Sequence, residues 1–457
     1  MTLSQNRSRQ KIAIVGAGIS GMSTAWLLAQ AHDVTVYEAE HRLGGHSHTV
    51  DAPSTLGPIA VDTGFIVYNA VNYPNLVALF DYLKVPTKDS NMGFAVSLDD
   101  GRMEYGGDSF ITLFSQVRNL VSPRFWAMLL DLLRFYREAP THADALEAEM
   151  TTLGNYLDTQ GYGRAFQNDH LLPQAAAIWS ASANDIRDYP ATAFIRFFQN
   201  HGLLKITDRP IWRTVEGGSR TYVSRLTAAY ADRVRVGAAV RSVRRTPTGV
   251  VVRDALGGAE TFDQVVIATH ADQGLALLDA PSDEERAVLG SFGYSRNLTV
   301  LHSDLALMPR RKRLWSAWNY MGRTSPGGDR QLCVTYWMNR LQGLATHTPL
   351  LVTLNPIREP DPAKVISKEV YEHPRFDAAA IRAQKRLWSL QGAGGVWWCG
   401  AYFGSGFHED GLQSGLAVAE AIGGVRRPWL VADESGRIHI TPKAPGARDR
   451  PTLEAVA

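Results

Sequence analysis

The chain has 457 residues, more than one compact core holds, so two domains are expected. Hydrophobic residues make up 45% and charged residues 20%, the balance of an ordinary globular protein. With 47 basic against 45 acidic residues the net charge is +2, which, with no RNA or DNA motif present, argues against a nucleic-acid partner.

The two cysteines, Cys333 and Cys399, lie in apolar or aromatic runs and read as buried thiols, with no disulfide framework and no CxxC metal site. Met1 to Gln10 is polar and lacks the apolar segment of a signal peptide, and there is no spanning run of about 18 uncharged apolar residues. A cytoplasmic protein is expected, soluble or resting on the inner face of a membrane.

The first elements in the chain are the most informative. Lys11-Ile-Ala-Ile-Val reads as a short buried strand, and Gly16-Ala17-Gly18-Ile19-Ser20-Gly21 as the turn that opens a helix. In that context the glycines have physical work: Gly16 for the tight turn, Gly18 for close approach of a pyrophosphate, Gly21 for helix–strand packing. The helix N-terminus then offers free N–H groups to the phosphates. A second strand, Val34-Thr-Val-Tyr, ends at Glu38, where a carboxylate can accept ribose hydroxyls; an arginine there would have indicated NADP. Next come Ala39 and Arg42-Leu43-Gly44-Gly45, a second glycine turn that suits a longer dinucleotide, so FAD is favoured. His46 is expected to contact phosphate. His46 and His48 form an HxH, but spacing places no third ligand, so no metal site is expected.

The first segment closes at Val61-Asp62-Thr63-Gly64-Phe65, and residues 67–212 are mostly helical by period, with Phe94–Leu98 in a hairpin. Within them, Phe110–Arg137 is apolar around most of a helical surface, with Arg124, Arg134 and Arg137 interspersed. Two readings stand open: a buried helix, or an interfacial helix on a bilayer to which the basic Pro309–Arg313 run could add lipid contacts. The Gly217-Gly218 turn precedes a helix expected over Thr221–Ala231. Short strands follow at Val234–Val236, Ala239–Val243 and Val250–Arg253, then a buried strand, Gln264–Thr269. Further strands are expected at Leu298–His302 and Leu332–Trp337. The chain returns with Val396–Gly400 and a last helix, Gly411–Ile422.

This order implies an α/β fold: a Rossmann-like FAD domain from residues 1–66, 213–290 and 391–430, interrupted by a mixed α+β substrate domain from 67–212 and 291–390, with a tail at 431–457. In these motifs the chain resembles the flavin-containing amine oxidoreductase superfamily over nearly its whole length. The resemblance implies noncovalent FAD, held by Gly16–Gly21, Glu38, Ala39, Arg42–His46, Thr63, Gly64 and Val240. It adds Ala268, Thr269, Gly400, Gly411, Leu412 and Ser414, with the last helix aiming its N-terminus at the flavin. Superfamily members often carry an acid directly after the glycine of the C-terminal strand; here Gly400 is followed by Ala401. Trp179-Ser180, Phe197–Leu204, Trp212–Gly217, Trp318–Tyr320 and Gly406–Gly411 resemble a narrower bacterial group that includes a desaturase-like enzyme of furan fatty acid synthesis.

Candidate chemistry gathers in a few side chains. His408 and Glu409 read either as a base or relay beside the flavin or as capping groups, with Asp410 as N-cap. Tyr402 and Phe403 read as an aromatic wall or as core. Arg213 reads as closing the substrate cavity or as pairing with an acid. The leading expectation is FAD-dependent desaturation of a methylated unsaturated acyl chain in a membrane lipid, with oxygen or a carrier taking the electrons. An amine or porphyrinogen-type oxidase and a non-catalytic flavin-binding protein are the alternatives.

Overall fold

The computed structural model describes residues 9–55, 57–149, 151–179, 183–205, 208–324 and 330–441. Alternation of small and β-branched residues makes Lys11–Val15 a strand buried on both faces, and it becomes the centre of a parallel sheet. Asp33–Tyr37 and then Val234–Arg235 lie on one side of it, Gln264–Ile267 and Val396–Trp398 on the other. Three distant stretches of chain therefore share one sheet, with Ile14 opposite both Val36 and Val266. A three-stranded antiparallel meander, Val240–Thr246, Gly249–Asp254 and Ala259–Phe262, accompanies it.

The cradle helix Ile19–Leu28 is buried along its whole length and packs on the closing helix His408–Ile422. Glycines set that spacing: a Cβ on Gly415 would stand 2.4 Å from the Ser20 carbonyl oxygen, and one on Gly411 2.8 Å from Ser20 Oγ.

The second sheet has seven strands, running Val365–Arg375, Gly293–His302, Leu351–Leu354, Arg330–Trp337, Trp318–Thr324, Phe94–Leu98 and Met103–Gly106. It is antiparallel except where Trp318–Thr324 meets Phe94–Leu98. The hairpin at Phe94 is thus present, paired with Met103–Gly106.

Several boundaries differ from the sequence expectation. The segment Phe110–Arg137 is three elements: a helical turn Phe110–Leu113, a 3-10 stretch Val117–Val121, and a long helix Pro123–Glu149. Pro123 forces the break, because Ser122 before it is held extended (φ −88°, ψ 111°) and proline then opens the next helix. The helix expected over Thr221–Ala231 is Arg220–Thr227 followed by 3-10 geometry to Arg233. The closing helix starts at His408, three residues before Gly411. Residues 431–441, expected as tail, fold back on the body: the Glu434 carbonyl accepts from Arg427 and Asn75, and Arg437 meets Asp410. Ser180 lies outside the described residues.

Candidate functional site

The crevice at the C-terminal ends of the parallel strands collects most of the residues singled out above. Gly16 takes φ +98° and its N–H donates to the Tyr37 carbonyl at 2.8 Å, which turns the chain into the helix. A Cβ built on Gly18 would meet nothing within 4 Å, so its face of the turn is open. The helix that follows has no side-chain cap and no acid in its first turn, which leaves its N–H groups for an anion. The Gly44 N–H donates to the Ala17 carbonyl at 2.9 Å, and a Cβ on Gly45 would lie 3.2 Å from Gly18 Cα. The two glycine turns therefore lean on each other. Arg42 braces the second by donating to the Gly45 carbonyl at 2.7 Å. Glu38 accepts from the Ala17 N–H at 2.8 Å and the Glu40 N–H at 2.9 Å, which sets its carboxylate beside the first turn. The Ala238 N–H, two residues before Val240, donates to the Glu38 carbonyl at 2.8 Å. Ala268 lies under Gly16 and Gly21. An open glycine face, an uncapped helix start and a ribose-height carboxylate are the features an FAD pyrophosphate and ribose require, so these residues fit the group.

Beside the cradle stands a set of rings and hydroxyls that sequence reading largely missed. His408 stacks on Phe65 with centroids 3.7 Å apart, and its Nε2 lies 2.9 Å from Ser47 Oγ and 3.1 Å from Tyr222 Oη. Ser47 and Tyr222 also hydrogen-bond each other. Burial pushes the His408 imidazole down to about 3, so it is neutral near pH 7. The His46 ring lies 5.1 Å from both Tyr371 and His373, and its buried Nε2 has no partner among the described residues. Burial first, then the neighbouring histidines, hold His46 well below the usual imidazole range. His373 accepts from Asn297 Nδ2 at Nδ1, at 3.1 Å, and burial pushes it to about 4. Thr63 Oγ1 and His48 Nδ1 reach Tyr371 Oη at 2.7 and 3.0 Å. One signal could have found Tyr371 and His373: they alternate on one face of the strand Val365–Arg375. Nothing local marks Tyr222 or Ser47.

The first turn of the closing helix is occupied differently from the expectation. Asp410 is its third residue, not its N-cap; its Oδ2 accepts from the Phe407 N–H at 2.7 Å, and Arg437 Nε donates to Oδ1 at 2.6 Å. Glu409 is buried and accepts from the Asn75 and Leu76 N–H groups, both at 3.0 Å, capping the helix Pro74–Tyr82. Gln413 Nε2 donates to it at 2.9 Å. Arg213 donates to Asp89 at 2.8 Å and to Thr87. Tyr402 is buried against Phe292 and Phe403, and Leu412 lies in the core between the two helices. Ser414 Oγ accepts from the Gly400 N–H at 3.0 Å and locks the C-terminal strand to the closing helix. Asp62 receives Thr49, Ser219 and Gln342 donors and joins the Gly217-Gly218 turn to the second domain. Cys399 Sγ sits 3.7 Å from Thr24 Oγ1 inside the core. Among the described residues no group of histidines, cysteines or acids is placed to hold a metal.

The family described as flavin containing amine oxidoreductase matches residues 19–295. A putative flavin-containing monoamine oxidase of Mycobacterium tuberculosis is 24% identical over 290 residues, 60% of each chain. An L-amino-acid oxidase of Sistrurus catenatus edwardsii is 43% identical over 65 residues, and the chain spans only 13% of its length. Among solved structures, wild-type putrescine oxidase bound to putrescine superposes with TM-score 0.66 at 16% identity, covering 91% of this chain and 99% of that one. A CLA-producing fatty acid isomerase from P. acnes superposes with TM-score 0.62 at 14% identity, covering 90% and 98%. The two superpositions establish the two-domain amine oxidase-like fold.

Proposed function

The chain belongs to the flavin-containing amine oxidoreductase family, and from that premise we propose that it desaturates a methylated unsaturated acyl chain of a membrane lipid, with FAD bound noncovalently. Family membership makes it an FAD-dependent oxidoreductase. Bound FAD supplies the electron-pair acceptor that no side chain can provide. The chain's own part is to hold the pyrophosphate on the cradle helix, the ribose on Glu38, and a substrate against the ring cluster.

The observation that carries the lipid reading is the lack of a free charge on the side chains gathered beside the cradle. His46, His373 and His408 are held neutral, and Asp62, Glu409 and Asp410 are each committed to internal donors. Glu369 and Glu372 face His48 and His270 at 3.9 and 3.5 Å, and Glu372 is shared with Arg296. An ammonium brought among these rings would be desolvated and would have to draw Glu369 or Glu372 from the histidines they face, whereas an alkyl chain loses nothing. The fatty acid in the name of the P. acnes isomerase makes an acyl substrate compatible with this fold. The neutral His408 ring fixes the Ser47 and Tyr222 hydroxyls, with its Nε2 at 2.9 and 3.1 Å from them. Both cysteines are buried free thiols, Cys399 packed 3.7 Å from Thr24 Oγ1, which supports the noncovalent reading. An amine substrate is the second reading, favoured by the stacked Phe65–His408 and tilted His46–Tyr371 ring pairs, whose faces suit a substrate nitrogen.

Anaerobic bleaching of the visible flavin band distinguishes the readings. Lipid extract containing methylated unsaturated chains should bleach it, with loss of two hydrogens from the acyl chain by mass spectrometry. Bleaching by amines alone would overturn the lipid reading, and a yellow protein that no substrate bleaches would point to a non-catalytic flavoprotein.

A further inference from the structure

We propose that residues 110–130, together with an arginine-lined cleft beside them, form a docking surface for an anionic phospholipid bilayer. The proposal rests on that surface alone and not on the identity of the substrate.

The apolar half of the surface is unusual for a water-facing one. Phe110 and Ile111 are each 80% exposed, Val121 82% and Leu130 65%, and Trp126 is open as well. These side chains lie on three consecutive elements, Phe110–Leu113, Val117–Val121 and the start of Pro123–Glu149, tied by the Trp126 indole N–H donating to the Leu120 carbonyl at 2.8 Å. They are not a loose loop: Phe114 packs on Phe125 and Trp126, and Phe125 and Met128 behind them are fully buried. A rigid scaffold thus holds large apolar groups outward, which marks an interaction site. No acidic residue occurs between Asp108 and Asp131.

The charged half comes from elsewhere in the chain. Arg310, Arg311 and Arg313 fold onto the turns at 99–102 and 115–118 and line a cleft of about 700 Å³ with Arg102 and Arg118. Arg313 donates to the Ser115 carbonyl and Arg118 to the Gly101 carbonyl, so the cleft adjoins the apolar elements directly. Asp99 and Asp100 also line it, but they are paired with Arg102 and Arg323, each near 2.8 Å or closer. Arg311 meets the buried Glu104. Arg118 and Arg310 have no carboxylate partner among the described residues, which leaves net positive charge facing out.

An apolar tip flanked by unpaired arginines and an interfacial tryptophan suits a leaflet: side chains enter the acyl region while guanidinium groups meet phosphates. A second copy of the chain suits it less, because the outward positive charge of the cleft calls for an anionic partner, which another copy of the same cleft does not supply. The long helix also connects this surface to the site. One face of its far half, Phe135, Ala139, Ala143 and Leu146, is buried, and the Ala143 carbonyl accepts from Thr192 on the helix Ala191–Asn200, whose Phe197 stacks 5.0 Å from Phe407, next to His408.

The test is cosedimentation of the flavin-loaded protein with vesicles of phosphatidylcholine alone and of phosphatidylcholine mixed with phosphatidylglycerol. The wild type should sediment with the mixed vesicles and release as salt rises. Arg118→Glu and Arg310→Glu should each weaken binding at least about fivefold at low salt, and Val121→Asp with Leu130→Asp should abolish it at every salt concentration. All four positions are at the surface, so unchanged thermal unfolding shows that the variants fold. Wild type that stays in the supernatant with both vesicles overturns the proposal. So does a concentration-dependent dimer that Val121→Asp dissolves, which would assign the patch to self-association. Vesicle binding without flavin bleaching by lipid would instead sink the substrate reading and leave this surface standing.

Discussion

Two glycines three residues apart should respond to the same substitution in opposite ways. Gly21→Ala places a Cβ 1.9 Å from the Gly16 carbonyl oxygen and 3.1 Å from Ala268 Cβ, where 3.0 Å is already a forced contact. The first neighbour is backbone, so the cradle helix itself has to move off the sheet. Overpacking of this kind costs about 1–3 kcal/mol, and a backbone clash belongs at the upper end, which lowers the apoprotein midpoint by roughly 2–3 °C in a chain of this length. Gly18→Ala meets nothing within 4 Å, and the residue is at φ −73°, ψ −178°, where alanine is unstrained. The unfolded chain loses freedom, so the apoprotein should be as stable as the wild type or gain up to about 1 kcal/mol. FAD is another matter, since the new methyl stands where the pyrophosphate approaches. A cost of about 1–3 kcal/mol there weakens flavin binding roughly 5–150-fold. Thermal unfolding of both apoproteins, with fluorescence titration of each by FAD, checks the pair. Wild-type FAD affinity in Gly18→Ala, or wild-type stability in Gly21→Ala, would refute this account of the cradle.

Three further outcomes are expected. Arg437→Met leaves the buried Asp410 carboxylate without its guanidinium partner and should cost about 3–5 kcal/mol in denaturant unfolding, part of which a second change, Asp410→Asn, restores. Burial lowers His408 to about 3 and His302 and His373 to about 4, so below pH 6.5 the unfolded chain binds more protons than the folded one. Their stabilising contribution is complete above that pH and is lost as pH falls toward the folded values; urea midpoints should drop between about pH 7 and about pH 5, less steeply in His373→Gln. Burial raises the Cys333 and Cys399 thiols to about 11 and about 12, so a thiol reagent should label neither in the native protein and both after unfolding.

The flavin cradle was legible because its requirements are local. A turn at φ +98°, an open glycine face and a close helix–strand contact each need glycine within a span of six residues, and Glu38 follows from the length of one βαβ unit. The second segment was legible for a similar reason: four consecutive apolar residues, Val265 to Ala268, suit a strand buried on both faces. The ring cluster was not, because its members come from four separate stretches and no spacing relates them.

What the sequence by itself determined is the strand, glycine turns and helix of the parallel-sheet half, where backbone geometry dictates residue type over short range. What the tertiary structure decided is which charges are used up. Glu409 caps a helix whose first turn is 334 residues away in sequence, Arg213 answers Asp89 across 124 residues, and Asp410, which accepts from the Phe407 N–H at the start of the closing helix, is held by Arg437. Those partnerships commit Glu409, Asp410 and Arg213 to contacts within the protein, while the rings of Phe65, His408, His46 and Tyr371 gather beside the cradle. They depend on Coulomb and hydrogen-bond contacts between segments that only the closed fold brings within 3 Å, and a linear pattern carries no record of them.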